Sequence, residues 1–158
     1  MLHINLIVLG KLKEKYWREA EAEYLKRLSS WAKIVIHELK EESFSEKNNP
    51  EIIKQKEADK IQSVLNKISD SFIIILDEHG QQFSSVNFAN HFNHLQQFHH
   101  HLTFIIGGPL GLHESILKKA NLKLSLSSLT FTHQMARIFL WEQIYRASAI
   151  ISGKKYHH

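Results

Sequence analysis

The strongest constraint on the fold of this chain is that short apolar segments alternate with segments of helical periodicity. Residues 3–10 form an apolar run typical of a strand, and residues 16–31 follow with apolar side chains at helical spacing. Further strands are expected at 33–39, 72–76, 102–106 and 122–127, and further helices at 51–68, 84–98, 112–120 and 133–151. This alternation predicts an α/β fold.

The later strand segments indicate how the sheet is built. Residues 72–76 read FIIIL and residues 102–106 read LTFII, so both are apolar at nearly every position. Strands have this composition when helices cover both faces of a parallel sheet. We therefore expect a parallel-type sheet with helices on both faces. Because the 158 residues contain no internal repeat and no linker, they are expected to form one domain over 1–158.

The composition excludes several kinds of chemistry. There is no cysteine, which rules out disulfides, thiolate metal sites and cysteine nucleophiles. No apolar run approaches the roughly 18 residues of a membrane span, and the segment MLHINLIVLG lacks the basic flank of a signal peptide. These features predict a cytoplasmic protein with no membrane partner. The formal net charge of +4 permits a polyanionic partner but is also common in proteins that bind none.

Three loops form the candidate site, because ligands of parallel α/β sheets bind beyond the carboxyl ends of the strands. These loops are 76–83, 106–111 and 127–133. The second contains Gly107, Gly108 and Gly111, which have no Cβ and let a ligand lie against backbone N–H groups near a helix start. The same glycines are also consistent with a tight turn that binds nothing.

The spacing of these glycines narrows the choice of ligand. The segment GGPLGL does not match G-x-G-x-x-G and is not followed by Gly-Lys-Ser/Thr, so NAD and ATP are disfavoured. A small ligand held by main-chain groups and apolar walls remains. Adenosine-type cofactors fit that description, but the loop alone does not name one.

Four motifs in fixed order carry a family resemblance. They are FIIILDEHGQQFSS, FIIGGPLGL, LSLSSLTFTHQMARIFLWEQIYRA and the terminal KKYHH. With the opening LIVLGKLK, they make the chain similar almost end to end to small bacterial methyltransferases of the SPOUT class. Within that class it most resembles the enzymes that methylate N3 of a pseudouridine in large-subunit (23S) ribosomal RNA, in the assembled ribosome. The resemblance implies a SPOUT fold with a C-terminal trefoil knot, a homodimer, and S-adenosyl-L-methionine bound in the knot near the subunit interface.

The resemblance also assigns site residues. The cofactor contacts it implies are Leu76, Gly108, Ser127, Ser128, Leu129, Thr130, Phe131 and Thr132. Gly107 and Gly111 belong to the same glycine loop. The tail with Tyr156 and His157 is expected to reach the partner's site. Lys154 and Lys155, next to that tail, are expected to contact RNA phosphates.

The chain departs from the family pattern at three positions. Thr132 and Lys155 stand where the family usually has proline, and His158 replaces a terminal basic residue and could also be the remnant of a purification tag. Proline fixes φ and restricts the unfolded chain. Its loss at 132 and 155 is therefore expected to loosen both segments.

Methylation of a pyrimidine N3 needs in-line geometry, loss of the N3 proton and stabilisation of negative charge on the ring carbonyls. It needs no metal. The candidates for the general base are Tyr156, His157, His133 and Glu142, and Arg146 is the natural donor to a carbonyl oxygen or a phosphate.

Several of these charged residues also have simpler explanations. Glu142 and Arg146 are four residues apart, which fits a plain surface ion pair. Against that, the helix 133–151 is apolar nearly all round, which predicts burial and makes it a candidate dimer interface. Arg137 lies on the same helix and is expected either to contact an RNA phosphate or to be solvated.

The twelve histidines invite a metal site, with HFNH at 91–94 and HHH at 99–101. No second ligand pair follows at a zinc spacing, so we expect no metal.

Two functions remain. The first is an S-adenosylmethionine-dependent rRNA methyltransferase, and the alternative is a catalytically idle module that binds RNA or the ribosome. Retention of the glycine loop and the Tyr-His tail favours the enzyme.

Overall fold

The computed structural model describes residues 1–68 and 70–156, and within them strands and helices alternate as expected. The elements are β1 (Leu2–Leu9), α1 (Lys15–Leu28), β2 (Ala32–Leu39), α2 (Pro50–Leu65), β3 (Phe72–Gln81), α3 (Ser85–Phe98), β4 (His101–Ile106), α4 (Glu114–Leu117), β5 (Leu122–Leu124) and α5 (His133–Ile151).

The five strands form one sheet in the order β2-β1-β4-β3-β5, and every neighbouring pair is parallel. The longest register joins β1 to β2, from Leu2 opposite Ala32 to Leu9 opposite Leu39. The predicted parallel sheet is confirmed. Because all five strands point the same way, the loops that follow them meet at one edge of the sheet, which positions the candidate site.

Two apolar cores lie on opposite faces of this sheet. The first joins the sheet to α1, α3 and α5, with Trp141 and Phe92 fully buried. The second joins the sheet to α2 and α4 and is centred on Ile61. Along β1, Leu6 belongs to the first core and Ile7 to the second, because successive side chains of a strand point to opposite faces. The prediction of helices on both faces is confirmed.

Most helix boundaries follow from local capping. The Ser84 hydroxyl accepts from the Asn87 N–H at 3.2 Å and caps α3, which begins at Ser85, within one residue of the predicted start. Asn49 caps α2, and Pro50 stands in its first turn, where no backbone N–H donor is needed. The predicted helix at 112–120 is wrong in length, since α4 has only four residues. Asn121 ends this segment by bonding the backbone N–H and C=O of Ile73 on β3.

The strand β3 is longer than expected. The sequence predicted a strand over 72–76 followed by a turn, but pairing with β5 resumes at Gln81 after a bulge, so that Leu76 and Gln81 both lie opposite Leu124. The Ser125 N–H donates to the Gln81 carbonyl at 2.9 Å and secures the second contact. Gly80 allows β3 to pair with β5 again after the bulge, because the Gly80 backbone packs directly on the backbone of β5.

We expect Gly80→Ala to lower the free energy of unfolding by about 1–3 kcal/mol through overpacking. A Cβ at this position would lie 2.6 Å from the backbone carbonyl carbon and oxygen of Lys123, which cannot rotate aside. Urea denaturation measures the change. His79→Ala, at an exposed neighbour in the same bulge, is the control and should change stability by less than about 0.5 kcal/mol. Equal midpoints for the two variants would contradict this account of the bulge.

Most of the apolar surface of α5 is buried by other elements of the same chain. It packs between α1 and α3, and Leu140, Trp141 and Ile144 are fully buried. Its burial therefore does not by itself require a partner chain. Apolar surface remains exposed near its N-terminal half, at Phe139 and at Leu129 in the preceding loop. In the described part of the chain, no helix is long and apolar enough to cross a membrane.

Candidate functional site

The three glycines after β4 have different reasons to be glycine. Gly111 has φ +79° and donates its N–H to the Gly108 carbonyl at 2.9 Å, which closes a tight turn. A Cβ on Gly107 would lie 2.9 Å from the Leu112 Cγ. At Gly108, by contrast, a Cβ would meet nothing closer than the Glu57 carboxylate at 3.6 Å. The turn explains Gly111 and the close approach of Leu112 explains Gly107, whereas a Cβ on Gly108 would lie in ordinary van der Waals contact, so no contact within the described residues requires glycine there.

The loop after β5 is held in shape by its own hydroxyl groups. The Ser125 hydroxyl donates to the Ser127 carbonyl at 2.9 Å, and the Ser127 hydroxyl accepts from the Leu129 N–H at 3.0 Å. The Thr130 hydroxyl donates to Glu78 in the β3 bulge at 3.2 Å. This bond joins the loop 127–132 to the β3 bulge, which follows Leu76.

This arrangement suits a nucleoside-type cofactor. Gly108 has partly exposed main chain without a side chain, while the half-buried Leu76 and the exposed Leu129 offer apolar surface. The hydroxyl groups of the loop after β5 supply hydrogen-bonding partners. Such sites combine apolar walls with a few directed polar groups. The parallel topology directs the loops that carry Leu76, Gly107, Gly108, Gly111 and residues 127–132 to one edge of the sheet, and their role as cofactor contacts stays a prediction.

Thr132, which stands where we expected a proline, has a role of its own at the start of α5. Its hydroxyl accepts from the Met135 N–H at 3.3 Å and caps α5. A threonine cap stabilises a helix by about 1 kcal/mol relative to alanine. The residue at this position therefore fixes the end of the loop by a hydrogen bond.

His133 opens α5 next to the end of β2. Its Nε2 lies 3.9 Å from the Glu41 carboxylate and is buried without a hydrogen-bond partner in the described part of the chain. A buried imidazole nitrogen with free hydrogen-bonding capacity can exchange a proton with a neighbouring group. His133 therefore stays a candidate base, now with Glu41 beside it.

A second group of candidate residues lies at the other end of α5. The Arg146 guanidinium donates two bonds to one oxygen of Glu142, at 2.6 Å and 3.1 Å, and one bond to the Tyr156 carbonyl at 3.2 Å. It also stacks 4.8 Å from the Tyr156 ring centroid. The hydrogen bond that Arg146 donates to the Glu142 carboxylate raises the pKa of Arg146, so the guanidinium keeps its charge. Because both side chains are largely buried, this is more than a plain surface pair. Lys154 and Lys155 are exposed beside it, and His157 lies outside the described residues.

The two groups are far apart within one chain. Thr132 marks the N-terminal end of α5, and Arg146 lies fourteen residues further along it. At a rise of about 1.5 Å per residue, roughly 20 Å of helix separate them. The loop 127–132 and the group around Arg146 therefore lie at opposite ends of α5.

The structure corrects our expectation that Arg137 contacts an RNA phosphate or is solvated. Only 4% of the residue is exposed, and its guanidinium forms two bonds to Glu21, at 2.6 Å and 2.7 Å, and one to Glu38 at 3.0 Å. Burial acts to lower the pKa of Arg137, but these carboxylates outweigh it and raise the pKa. The Trp141 indole also donates to Glu21, at 2.8 Å. The guanidinium is committed to a buried ion pair that joins α5 to α1 and β2.

One functional candidate that we missed is Glu57 on α2. Glu57 is buried because it lies on the same apolar face of α2 as Ile53 and Ile61, four residues to either side. A lone carboxylate on an apolar helix face is a signal that the sequence contained. Among residues 1–68 and 70–156, no three His, Asp or Glu side chains come together as metal ligands.

Comparison with known proteins agrees with this geometry. The family model described as "Predicted SPOUT methyltransferase" matches residues 2–157. The chain belongs to the SPOUT methyltransferases, and the resemblance drawn from four motifs is confirmed.

Individual relatives share the length of the chain as well as its motifs. The "Ribosomal RNA large subunit methyltransferase H" of Pseudothermotoga lettingae is 47% identical over 157 residues, which are 99% of this chain and 100% of that protein. Proteins of the same name from Caldicellulosiruptor saccharolyticus and Clostridium beijerinckii are 44% and 45% identical, and the match covers 98% and 99% of this chain and 99% of each of them.

Proposed function

We propose that this protein transfers a methyl group from S-adenosyl-L-methionine to N3 of a pseudouridine in large-subunit (23S) ribosomal RNA, in the assembled ribosome of the cytoplasm. The names of its relatives support the RNA substrate. The observation that carries the cofactor is that no contact within the described residues requires glycine at 108, in a loop at the same edge of the sheet as the loop 127–132. A cationic cofactor and a polyanionic substrate are both compatible with a modest net charge of +4.

A trefoil knot is part of this proposal. The strand β5 lies at one edge of the sheet, yet α5 begins beside β1, where Gln134 accepts from the Lys13 N–H at 2.9 Å. The loop 127–132 must therefore cross the ends of β3 and β4. This crossing supports a knotted passage that encloses the cofactor.

We also propose a homodimer in which one chain completes the other's site. The separation of the cofactor loops from Arg146 and Tyr156 supports it, because a second copy with reversed helix direction can bring the two groups together. The exposed Phe139 and Leu129 offer apolar surface for such a contact.

The chemistry divides between these two groups. S-adenosylmethionine supplies an electrophilic methyl group when it is bound. The backbone at Gly108 and the residues 127–132 hold it, and Leu129 walls the site. Arg146 of the other chain, held by Glu142, donates to a ring carbonyl or phosphate of the nucleotide. Such preorganised donors contribute about 10²-fold or more to the rate.

Gly108→Val tests the cofactor site, because a branched side chain would cover the main chain that the cofactor is proposed to contact. Isothermal calorimetry with S-adenosylmethionine is expected to give micromolar binding by the native protein and no measurable binding by the variant. A Cβ here lies only in ordinary contact with Glu57, so the fold and the dimer should persist. Gln55→Ala, at an exposed position of α2, is the control and should bind normally.

Methyl transfer from tritiated S-adenosylmethionine to ribosomes is the companion assay. Activity of the native protein that Gly108→Val abolishes supports the enzyme. A folded native protein that binds the ribosome without binding the cofactor would favour the alternative, a catalytically idle RNA- or ribosome-binding module.

A further inference from the structure

We propose that a cleft between α2 and the ends of β1, β2 and β4 binds the methyl-acceptor pyrimidine nucleotide, and that the Glu57 carboxylate accepts its N3 proton. We call it the acceptor cleft. Its volume of about 500 Å³ is large enough for a nucleotide. The lining residues used here are Lys13, Lys40, Phe44, Ile53, Glu57 and Leu110. This inference rests on the proposed function and deepens it.

Glu57 is the group in the cleft that calls for an explanation. The residue is only 4% exposed, and burying a carboxylate costs free energy unless it is well paired. Its Oε1 accepts from the Glu42 N–H at 3.1 Å, and its Oε2 lies 3.6 Å from the position of a Cβ on Gly108. Burial raises the pKa of Glu57, although the Glu42 N–H acts in the opposite direction. A carboxylate with a raised pKa is suited to accept a proton.

The rest of the cleft matches the parts of a nucleotide. Phe44 is 51% exposed, so its ring is available to stack on a base turned out of the RNA. Lys13 and Lys40 are exposed at the rim, and neither forms an ion pair within the described residues, so both can meet phosphates. Glu42, by contrast, is already paired with Lys60 at 2.6 Å.

The position of the cleft fits the transfer. It lies over β2, β1 and β4, whereas the cofactor loops lie over β4, β3 and β5. The two regions meet at the loop 107–111. A nucleotide in the acceptor cleft would therefore lie next to a cofactor held over Gly108, as in-line transfer requires.

The proposed step balances without any further reactant. The N3–H bond breaks and its proton passes to Oε2 of Glu57. The electron pair left on N3 forms the N3–CH₃ bond while the S–CH₃ bond of the sulfonium breaks. The positive charge of the sulfonium is lost, a thioether leaves, and the Glu57 proton is released to water.

Glu57→Gln separates proton acceptance from structure. Glutamine fills the same volume, and its amide oxygen can still accept from the Glu42 N–H. We expect single-turnover methyl transfer to ribosomes to fall at least about 100-fold, the usual contribution of a general base, with the Kd for S-adenosylmethionine changed less than twofold. Glu51→Gln, an exposed glutamate on the same helix, is the matched control and should keep native activity.

A pH profile gives a second readout, which a purely structural role would not move. Glu57 faces Glu41, Glu42 and Lys60, and Lys13 and Lys40 share its cleft. Because the base must be ionised, the native rate should fall as pH falls through the raised pKa of Glu57. Glu57→Gln should lack this acid limb.

Phe44→Ala should raise KM for the ribosome about tenfold with kcat nearly unchanged, as expected for lost stacking.

The outcomes separate this inference from the proposed function. If the native protein is active and Glu57→Gln keeps more than a third of its rate, the inference is overturned and the function stands. If Glu57→Gln loses S-adenosylmethionine binding, Glu57 belongs to the cofactor site and the inference is again overturned.

If the native protein transfers no methyl group, the proposed function fails, and the cleft is judged by nuclear magnetic resonance with pseudouridine 5′-monophosphate. Shifts of the amide signals of residues 41–44 that Glu57→Gln removes would support the cleft. Unchanged signals at millimolar nucleotide would overturn it.

Discussion

Arg137→Ala is expected to lower the free energy of unfolding by about 3–5 kcal/mol. The substitution leaves the Glu21 carboxylate, which is largely buried, without the two guanidinium bonds that now compensate its lost hydration. Glu38 loses less, because its side chain is 37% exposed and water can replace the missing donor. Urea denaturation followed by circular dichroism measures the change. Since the pair joins residues 116 positions apart in the chain, the loss also loosens the packing of α5 on α1.

Two further variants show whether unpaired charge is the cause. Lys15→Ala removes an exposed ion pair with Glu19 on α1 and should cost less than about 0.5 kcal/mol. The double variant Arg137→Met with Glu21→Met leaves no buried charge on either partner and should recover at least half of the loss. A loss below about 1 kcal/mol for Arg137→Ala, or no recovery in the double variant, would contradict this explanation.

The sequence predicted the architecture well because the pattern that it relies on is local. Strand segments such as LTFII and the helical spacing of 16–31 fix the element type by side-chain burial alone. The parallel sheet and its two covered faces follow from the same apolar runs. The site loops follow from topology, since parallel strands deliver their loops to one edge.

The errors arose where contacts distant in sequence decide the outcome. The turn predicted after residue 76 becomes a bulge because Gly80 packs on the backbone of β5, more than forty residues later. Arg137 looks like a charge on an apolar helix, and only the folded chain brings Glu21 to it. Glu57 was visible as a charge in an apolar stripe, but its neighbour Gly108 was not. Periodicity reports the face on which a residue lies and not the residue that it meets.

The cofactor loops and the group around Arg146 lie at opposite ends of α5, and this separation leads to a prediction about mixed dimers. A mixture of two inactive variants, Gly108→Val and Arg146→Ala, is expected to regain about a quarter of native methyl-transfer activity after subunit exchange. In a two-fold symmetric dimer with composite sites, a mixed dimer has one site with both defects and one site with none. Random exchange makes about half of the dimers mixed, and each of these has one working site of two. Transfer of tritiated methyl groups to ribosomes measures the recovery.

The matched control mixes Arg146→Ala with Tyr156→Ala, which both affect the tail group around Arg146 and should give no recovery. Sites contained within one chain would leave both mixtures inactive, because every chain would then carry a defect in its own site. A monomer in light scattering would contradict the dimer directly. Recovery in the first mixture alone requires that the cofactor loops of one chain work with Arg146 of the other, because only then does a mixed dimer contain one site without a defect.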